Sequence, residues 1–281
     1  MKDMTETRAA PAQHGIPAAA MGVRRFGRVN WLGLRTLVVR EIQRFLAVWT
    51  QTLMAPLVTA GLFLAIFALA IGPNRGPVMG VPYIEFLVPG ILMMTVIQNA
   101  FANTSSAIMI AKVQGNIVDT LMPPLSAGEL LTGYLAGGIG RGLFVAVPIL
   151  VAGIVVIGHG LVYPLWVLAF VLLGSAMMAG LGIIAAIYAR KFDQMAAITN
   201  FIVAPLSMLS GTFYSVEGLP EAMQVATHLN PFFYLIDGVR FGVIGASDSS
   251  PWLGLLVCAG ATVGVAAICW RLFRRGTRLK A

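Results

Sequence analysis

Charge is what this sequence has least of. Only 11% of its 281 residues are Asp, Glu, Lys or Arg, against about 25% in soluble domains. The scarcity is organised. No charged residue lies between Arg44 and Arg75, between Glu85 and Lys112, between Asp193 and Glu217, or between Asp248 and Arg271. A helix needs about 20 apolar residues to cross a hydrocarbon core about 30 Å thick, so each gap admits one span. The uncharged interval from Arg141 to Arg190 holds the rest of one span and all of another, turned at Gly158-His159-Gly160. An ordinary soluble domain is excluded.

Other absences narrow the chemistry. None of the four lysines (Lys2, Lys112, Lys191, Lys280) follows Gly or precedes Ser or Thr, as a phosphate-binding loop requires. The chain is therefore not expected to hydrolyse ATP. The apolar stretches contain no Asp, Glu or His, which proton-coupled transport usually needs. Ser175, Ser207 and Ser210 have no intramembrane His to act as base, because His14, His159 and His228 fall in a tail and two loops. No enzyme activity is expected, and the energy source is expected to lie outside the chain. Cys258 and Cys269 sit on one span, about 16 Å apart along a helix, too far for a disulfide. They read as small apolar side chains. No metal-ligand spacing occurs, so no metal or cofactor is expected in this chain. No secretory signal peptide is expected either, since no apolar segment with a cleavage site follows the basic start.

The apolar stretches fall at about Trp49–Ile71, Phe86–Ile110, Leu130–Ile157, Pro164–Ala189, Met195–Phe213 and Trp252–Trp270. They leave seven polar segments. Of the 19 Lys and Arg, all but Arg75, Arg141 and Arg240 lie in the first, third, fifth and seventh. Cytoplasmic segments are enriched in these residues. The expected fold is thus an all-α membrane protein with six transmembrane helices and both termini in the cytoplasm. The net charge of +8 and pI near 10 do not point to nucleic acid, because the basic residues are not a stripe interleaved with aromatics. Attraction to anionic membrane lipids is sufficient.

Residues 1–28, rich in Ala, Pro and Gly, read as a disordered cytoplasmic tail, and residues 29–281 as the membrane domain. Residues 30–47 read as an amphipathic helix at the cytoplasmic membrane surface, with Trp31, Leu34, Val38, Ile42 and Phe45 as its apolar stripe. Lys112–Glu129 is a structured loop. It holds a short helix ending near Leu121, stopped by Pro123-Pro124, and Ser126 with Glu129 forms a capping box for the next span. Tyr214–Pro251 is too apolar for a free loop. Pro220–His228 and Phe232–Ile244 are expected as two short helices in the outer leaflet, with Asp237 and Arg240 able to pair across one face.

Arg141 is the one cation deep in a span. A charge there costs at least about 2.5–3.5 kcal/mol on insertion scales. It is a cavity group that contacts substrate headgroups, a clamp that hydrogen-bonds neighbouring helices, or a side chain that snorkels toward the cytoplasm. Asn99, Asn103 and Ser106 share one face of the second span, flanked by Gln98, Thr104 and Ser105. They either glue helices or line a path. Gly133, Gly137, Gly138 and Gly140, with Gly174 and Gly180 to Gly182, allow close helix approach.

Three stretches then carry a resemblance. FLVPGILMMTVIQNAFANTSSA (Phe86–Ala107) continues through Lys112 and Pro123-Pro124 to GGIGRG (Gly137–Gly142). Later come GTFYSVEGLP (Gly211–Pro220) and LNPFFYLIDGVRFGVIG (Leu229–Gly245). In this order, on six spans, they resemble the permease subunits of ABC-2 type exporters, the branch that includes nodulation-factor, drug and polysaccharide exporters. The resemblance covers most of Asn30–Lys280. It implies a half-transporter: two copies of this chain joined to two copies of a separate ABC ATPase, which binds the ATP and Mg. It implies a coupling helix at about Val113–Leu121, with Gln114, Gly115, Asn116 and Asp119 nearest the ATPase. The amino-terminal helix, with Arg40 and Glu41, would also touch it. The translocation path would run between the first, second and fifth spans, with Asn99, Asn103, Arg141, Asn200, Ser207 and Phe213 as candidates. It would carry amphipathic or lipid-linked substrates out across the bacterial inner membrane.

Three other readings compete. A stand-alone channel or secondary transporter would prefer an intramembrane acid, which is missing. A membrane enzyme needs a polar catalytic cluster. A membrane anchor leaves the Lys112–Glu129 loop and the outer helices unexplained.

Overall fold

The computed structural model describes residues 29–276, apart from Val118, Thr120 and Leu121. The expected tail, residues 1–28, lies outside the described residues. All elements among the described residues are helical. α1 is Trp31–Leu46, α2 Trp49–Ile66, α3 Tyr83–Val113, α4 Ala127–Ile157 and α5 Pro164–Tyr188. α6 (Phe192–Ile198) and α7 (Ala204–Leu209) are joined without a break by a π-helical turn, Thr199–Val203. α8 is Glu221–His228, α9 Pro231–Ile244 and α10 Pro251–Arg275. Among the described residues, six helices are long and apolar enough to cross a membrane: α2 with its extension to Asn74, α3, α4, α5, α6–α7 and α10. Six crossings return the chain to the side on which it starts. That side carries α1, and α8 and α9 lie on the far side.

The spans are longer than the apolar stretches. α3 begins at Tyr83 and runs through Lys112 to Val113, so Val113 closes a span rather than opening a coupling helix. The Lys112 ammonium donates to the carbonyls of Ala186, Ile187 and Ala189 at 2.6–3.0 Å. It satisfies the open end of α5, where helix carbonyls lack partners. A residue that marks a loop by composition is here a helix cap. α2 continues through a π turn, Phe67–Ile71, and a 3-10 turn, Gly72–Asn74.

α3 is the axis of the fold. Its span is 83% buried, against 61% for α5 and 6% for the α2 span. Glycines set the spacing. On α4, Gly133, Gly137 and Gly140 receive Leu37, Glu41 and Phe45 of α1, while Gly138 and Gly142 receive Ala179 and Ser175 of α5. A methyl group at Gly142 would overlap the Ser175 hydroxyl. Small residues bring helix backbones together in this way. The buried stripe of α1 is therefore Leu37, Glu41 and Phe45, at i, i+4 and i+8. The expected stripe coincides with it only in part: Phe45 is buried, Leu34, Val38 and Ile42 are half-buried, and Trp31 stands exposed.

The caps are local. The Asn30 side chain accepts from the Gly33 amide. Ser126 and Glu129 form the expected capping box. The Glu129 carboxylate also accepts from the Asn30 amide, tying the start of α1 to the start of α4.

Candidate functional site

A cavity of about 880 Å³ opens between α1, α2, α3, α4 and α7. Arg44 and Ile110 mark its α1 end, and Gln98, Asn99 and Arg141 lie further along. Phe45, Val48, Pro56, Phe63, Met94 and Met208 supply the apolar wall. No Asp or Glu lines it. Both flanking spans, α2 and α6–α7, contain a π turn, a feature frequent at functional sites. Towards the far side the aromatic rings close in. Phe213 stacks on Phe67 with centroids 4.5 Å apart and sits 5.6 Å from Phe63.

The two arginines of this cavity differ. The Arg44 guanidinium bonds the buried Glu41 carboxylate at 3.1 and 3.2 Å, the Asn103 carbonyl at 2.6 Å and the Ser106 hydroxyl at 3.1 Å. It also reaches the Asn103 side-chain oxygen at 3.0 Å. Arg141 stands at the middle of the 31-residue α4, about 21 Å from its start. It makes no hydrogen bond or ion pair among the described residues, and its Nε is buried without a partner.

The expected path residues separate accordingly. Asn99 and Arg141 line the cavity; the Asn99 amide also donates to the Thr95 carbonyl. Asn103 is fully buried and serves Arg44. Its polar neighbour Thr104 bonds the Ala179 carbonyl of α5 and is helix glue. Ser207 is buried with its hydroxyl on the Val203 carbonyl, and Ala204 and Met208 take the cavity face of α7 instead. Asn200 is exposed away from this cavity, and Phe213 sits one ring behind Phe63. Arg44 lines this cavity and was not among the expected path residues. Its place on the hydrophilic face of α1, one turn from the first span, was the available signal.

A second cavity, about 470 Å³, lies on the α1 side and shares Arg44 and Ile110 with the first. It gathers Arg40, Glu41, Gln114, Asn116 and Asp119. Gln114, Gly115, Asn116 and Asp119 are exposed, and Gly115 takes a positive φ of 73° that favours glycine. The expected coupling helix does not begin at Val113: Gln114 and Gly115 form a turn and Asn116 is irregular, Ile117 and Asp119 are helical, and Val118, Thr120 and Leu121 lie outside the described residues. Glu41 does not face a partner directly. Its side chain is 2% exposed and bonds Arg40 and Arg44, because α1 turns that face onto Gly137.

On the far side α9 carries a buried charge cluster. The Arg240 Nη1 lies 3.8 Å from carboxylate oxygens of both Asp237 and Asp248. Its Nη2 donates to the Gly211 carbonyl, and its guanidinium carbon lies 3.9 Å from the Phe86 ring centroid. Asp237 accepts from the amides of Asp248 and Ser249 at 2.8 and 2.9 Å, and Asp248 accepts from the Ser215 hydroxyl. The expected Asp237–Arg240 pair is present. Asp248, in the loop after α9, and Phe86 of α3, distant in sequence, complete it. The cluster fastens α9 to α3 and to the loop that carries Phe213. Cys258 and Cys269 are buried and unbridged, as expected.

Comparison with known proteins gives a consistent set. The model of the ABC-2 type transporter family matches residues 33–244. The inner membrane transport permease YadH of Escherichia coli (strain K12) is 34% identical over 251 residues, covering 89% of this chain and 98% of that protein. Nodulation protein J of Rhizobium leguminosarum bv. trifolii is 24% identical over 230 residues, covering 78% of this chain and 83% of that protein.

Proposed function

This chain belongs to the ABC-2 type transporter family and is a multi-pass membrane subunit of a transporter; from that premise we propose that it is the permease half of an ATP-driven exporter in the bacterial inner membrane. The observation that carries this reading is the cavity of about 880 Å³. It is flanked by the two least buried spans of the six, α2 at 6% and α6–α7 at 17%, the latter figure shared with α10. Large apolar side chains stand exposed along both flanks, among them Met54, Val58 and Leu62 on α2 and Phe201 and Met208 on α6–α7. A second copy of this chain packed there would enclose the path.

In this proposal the α1 side is cytoplasmic, with both termini, and α8 and α9 face outside. A separate ABC ATPase binds ATP and Mg and docks on Gln114, Gly115, Asn116 and Asp119, with Arg40 beside them. Glu41 and Arg44 connect that surface to the cavity, since Arg44 belongs to both cavities. Movement of α1 against α3 would then reach Asn103 directly. The cargo is amphipathic or lipid-linked, matching a wall that is mostly apolar with a few polar groups.

A photo-crosslinking amino acid at Gln114, in native membranes, tests the reading. A P-loop ATPase joined to that position is the expected product. Clean recovery of the chain with no ATPase adduct would favour the channel or anchor readings.

A further inference from the structure

Arg141 is a charge without a counter-charge. It sits at the middle of a transmembrane helix, where an ionised side chain is costly and normally paired. No carboxylate lines its cavity. Arg44, the other cation there, is already held by Glu41 and by Asn103. Asn103 and Glu41 therefore answer Arg44, and no group among the described residues bonds Arg141. An interhelical clamp would show hydrogen bonds to neighbouring helices, and Arg141 makes none among the described residues.

The surroundings define what would fit. The volume, about 880 Å³, lies within the range of small-molecule sites, roughly 300–1,000 Å³. Gln98, Asn99 and Thr95 offer neutral polar groups near the cation, and Phe45, Pro56, Phe63, Met94 and Met208 offer an apolar wall. A guanidinium matches phosphate and carboxylate geometry with two parallel hydrogen bonds. A cationic ligand would meet two arginines and no acid.

We propose that this cavity binds an anionic amphiphile, with its phosphate or carboxylate head on the Arg141 guanidinium and its apolar part along α2 and α7. Export of the bound molecule rests on the permease reading, but binding itself needs no ATPase. The proposal narrows the cargo class: acidic glycolipids and acidic amphiphiles fit, and cationic drugs do not.

The test uses the full-length chain, with any co-purifying subunit retained, in nanodiscs of zwitterionic phosphatidylcholine. The probe is a photoreactive alkyl phosphate. Controls are the same alkyl chain with a trimethylammonium head or a neutral glucoside head, and inorganic phosphate alone. The expected result is saturable labelling of the chain by the alkyl phosphate, about tenfold or more weaker in Arg141→Gln and partly restored in Arg141→Lys. The trimethylammonium probe should not compete. Thr59→Trp, which fills the cavity without altering charge, should also abolish labelling, so the proposal remains testable should Arg141 variants fold poorly. Equal labelling by phosphate and glucoside heads, or labelling indifferent to Arg141→Gln, would overturn the proposal. So would inorganic phosphate binding as tightly as the alkyl phosphate, which would make this a soluble-anion site. Loss of the Gln114 crosslink with labelling intact would overturn only the ATPase-driven reading.

Discussion

Arg240 and Arg141 are both arginines removed from water, and their surroundings are opposite. Arg240 is fully buried, with two carboxylates at 3.8 Å, one hydrogen bond to a carbonyl and an aromatic face against it; its Nε and Nη1 make no hydrogen bond, but its charge is answered by the two carboxylates. Arg141 has a cavity on one side and no bonded partner. The first arrangement holds three segments of chain in one geometry. The second leaves a charge with no bonded partner among the described residues, which is why the proposal places a ligand there. Burial alone does not separate a structural charge from a functional one; the partners within reach do.

The largest expected effect tests the far-side clasp. Arg240→Leu leaves Asp237 and Asp248 buried together with no cation. Removing one partner of a buried pair costs about 3–5 kcal/mol, and thermal unfolding in detergent should show a loss of that order. Neutralising all three residues together should recover part of it. If Arg240→Leu is as stable as the native chain, the clasp is not structural and the contrast fails.

A smaller effect is expected one layer away. Gly90 of α3 packs on the Thr212 carbonyl, next to the Gly211 carbonyl that Arg240 holds. A methyl at Gly90 would overlap that backbone. Gly90→Ala should cost about 1–3 kcal/mol, the usual range for overpacking. Gly61→Ala, with nothing within 4 Å of the added carbon, is the matched control and should not destabilise the chain.

Arg141→Met removes an unpaired charge and breaks no hydrogen bond or ion pair among the described residues, so thermal stability should stay the same or rise. A loss comparable to that of Arg240→Leu would mean that Arg141 is structural after all.

The smallest effect belongs to a charge pair that is still wet. His159, in the turn after α4, presents Nδ1 to the Gly160 carbonyl and Nε2 to the Glu85 carboxylate, at 3.0 and 3.2 Å. Both contacts are met as hydrogen bonds only when both ring nitrogens carry protons. The Gly160 carbonyl first, and then Glu85, hold the His159 pKa above its ordinary value. The contact therefore stabilises the fold fully below the unfolded pKa of about 6.5, and its contribution is lost as pH rises through the raised value. Unfolding followed across that window should show a slight extra pH dependence that His159→Gln removes. Salt should weaken it.

The architecture was legible because a hydrocarbon core tolerates so few charges. Gaps in the charge pattern located all six spans, and turn chemistry located the capping box and both short far-side helices. Their ends were less legible. Glu85 and Lys112 looked like loop residues, yet α3 contains both, since a helix can carry a charged end whose side chain finds a partner at the rim. The inner face of α1 was legible only in part for a related reason. Glu41 counted as polar, and the pattern could not show that Arg44 would neutralise it against Gly137. The polar stripe of α3 looked continuous, but Asn99, Asn103 and Thr104 turn towards a cavity, an arginine and a neighbouring helix respectively.

The sequence by itself determined that this chain crosses a bilayer six times, because hydrophobicity, glycine and charge spacing act over a turn or a span and need no distant partner. Only the tertiary structure decided which buried charges find partners. Phe86 reaches Arg240, and Asn103 reaches Arg44, from α3. The energy of a buried charge depends on which groups stand within a few ångströms of it, and that is fixed by packing.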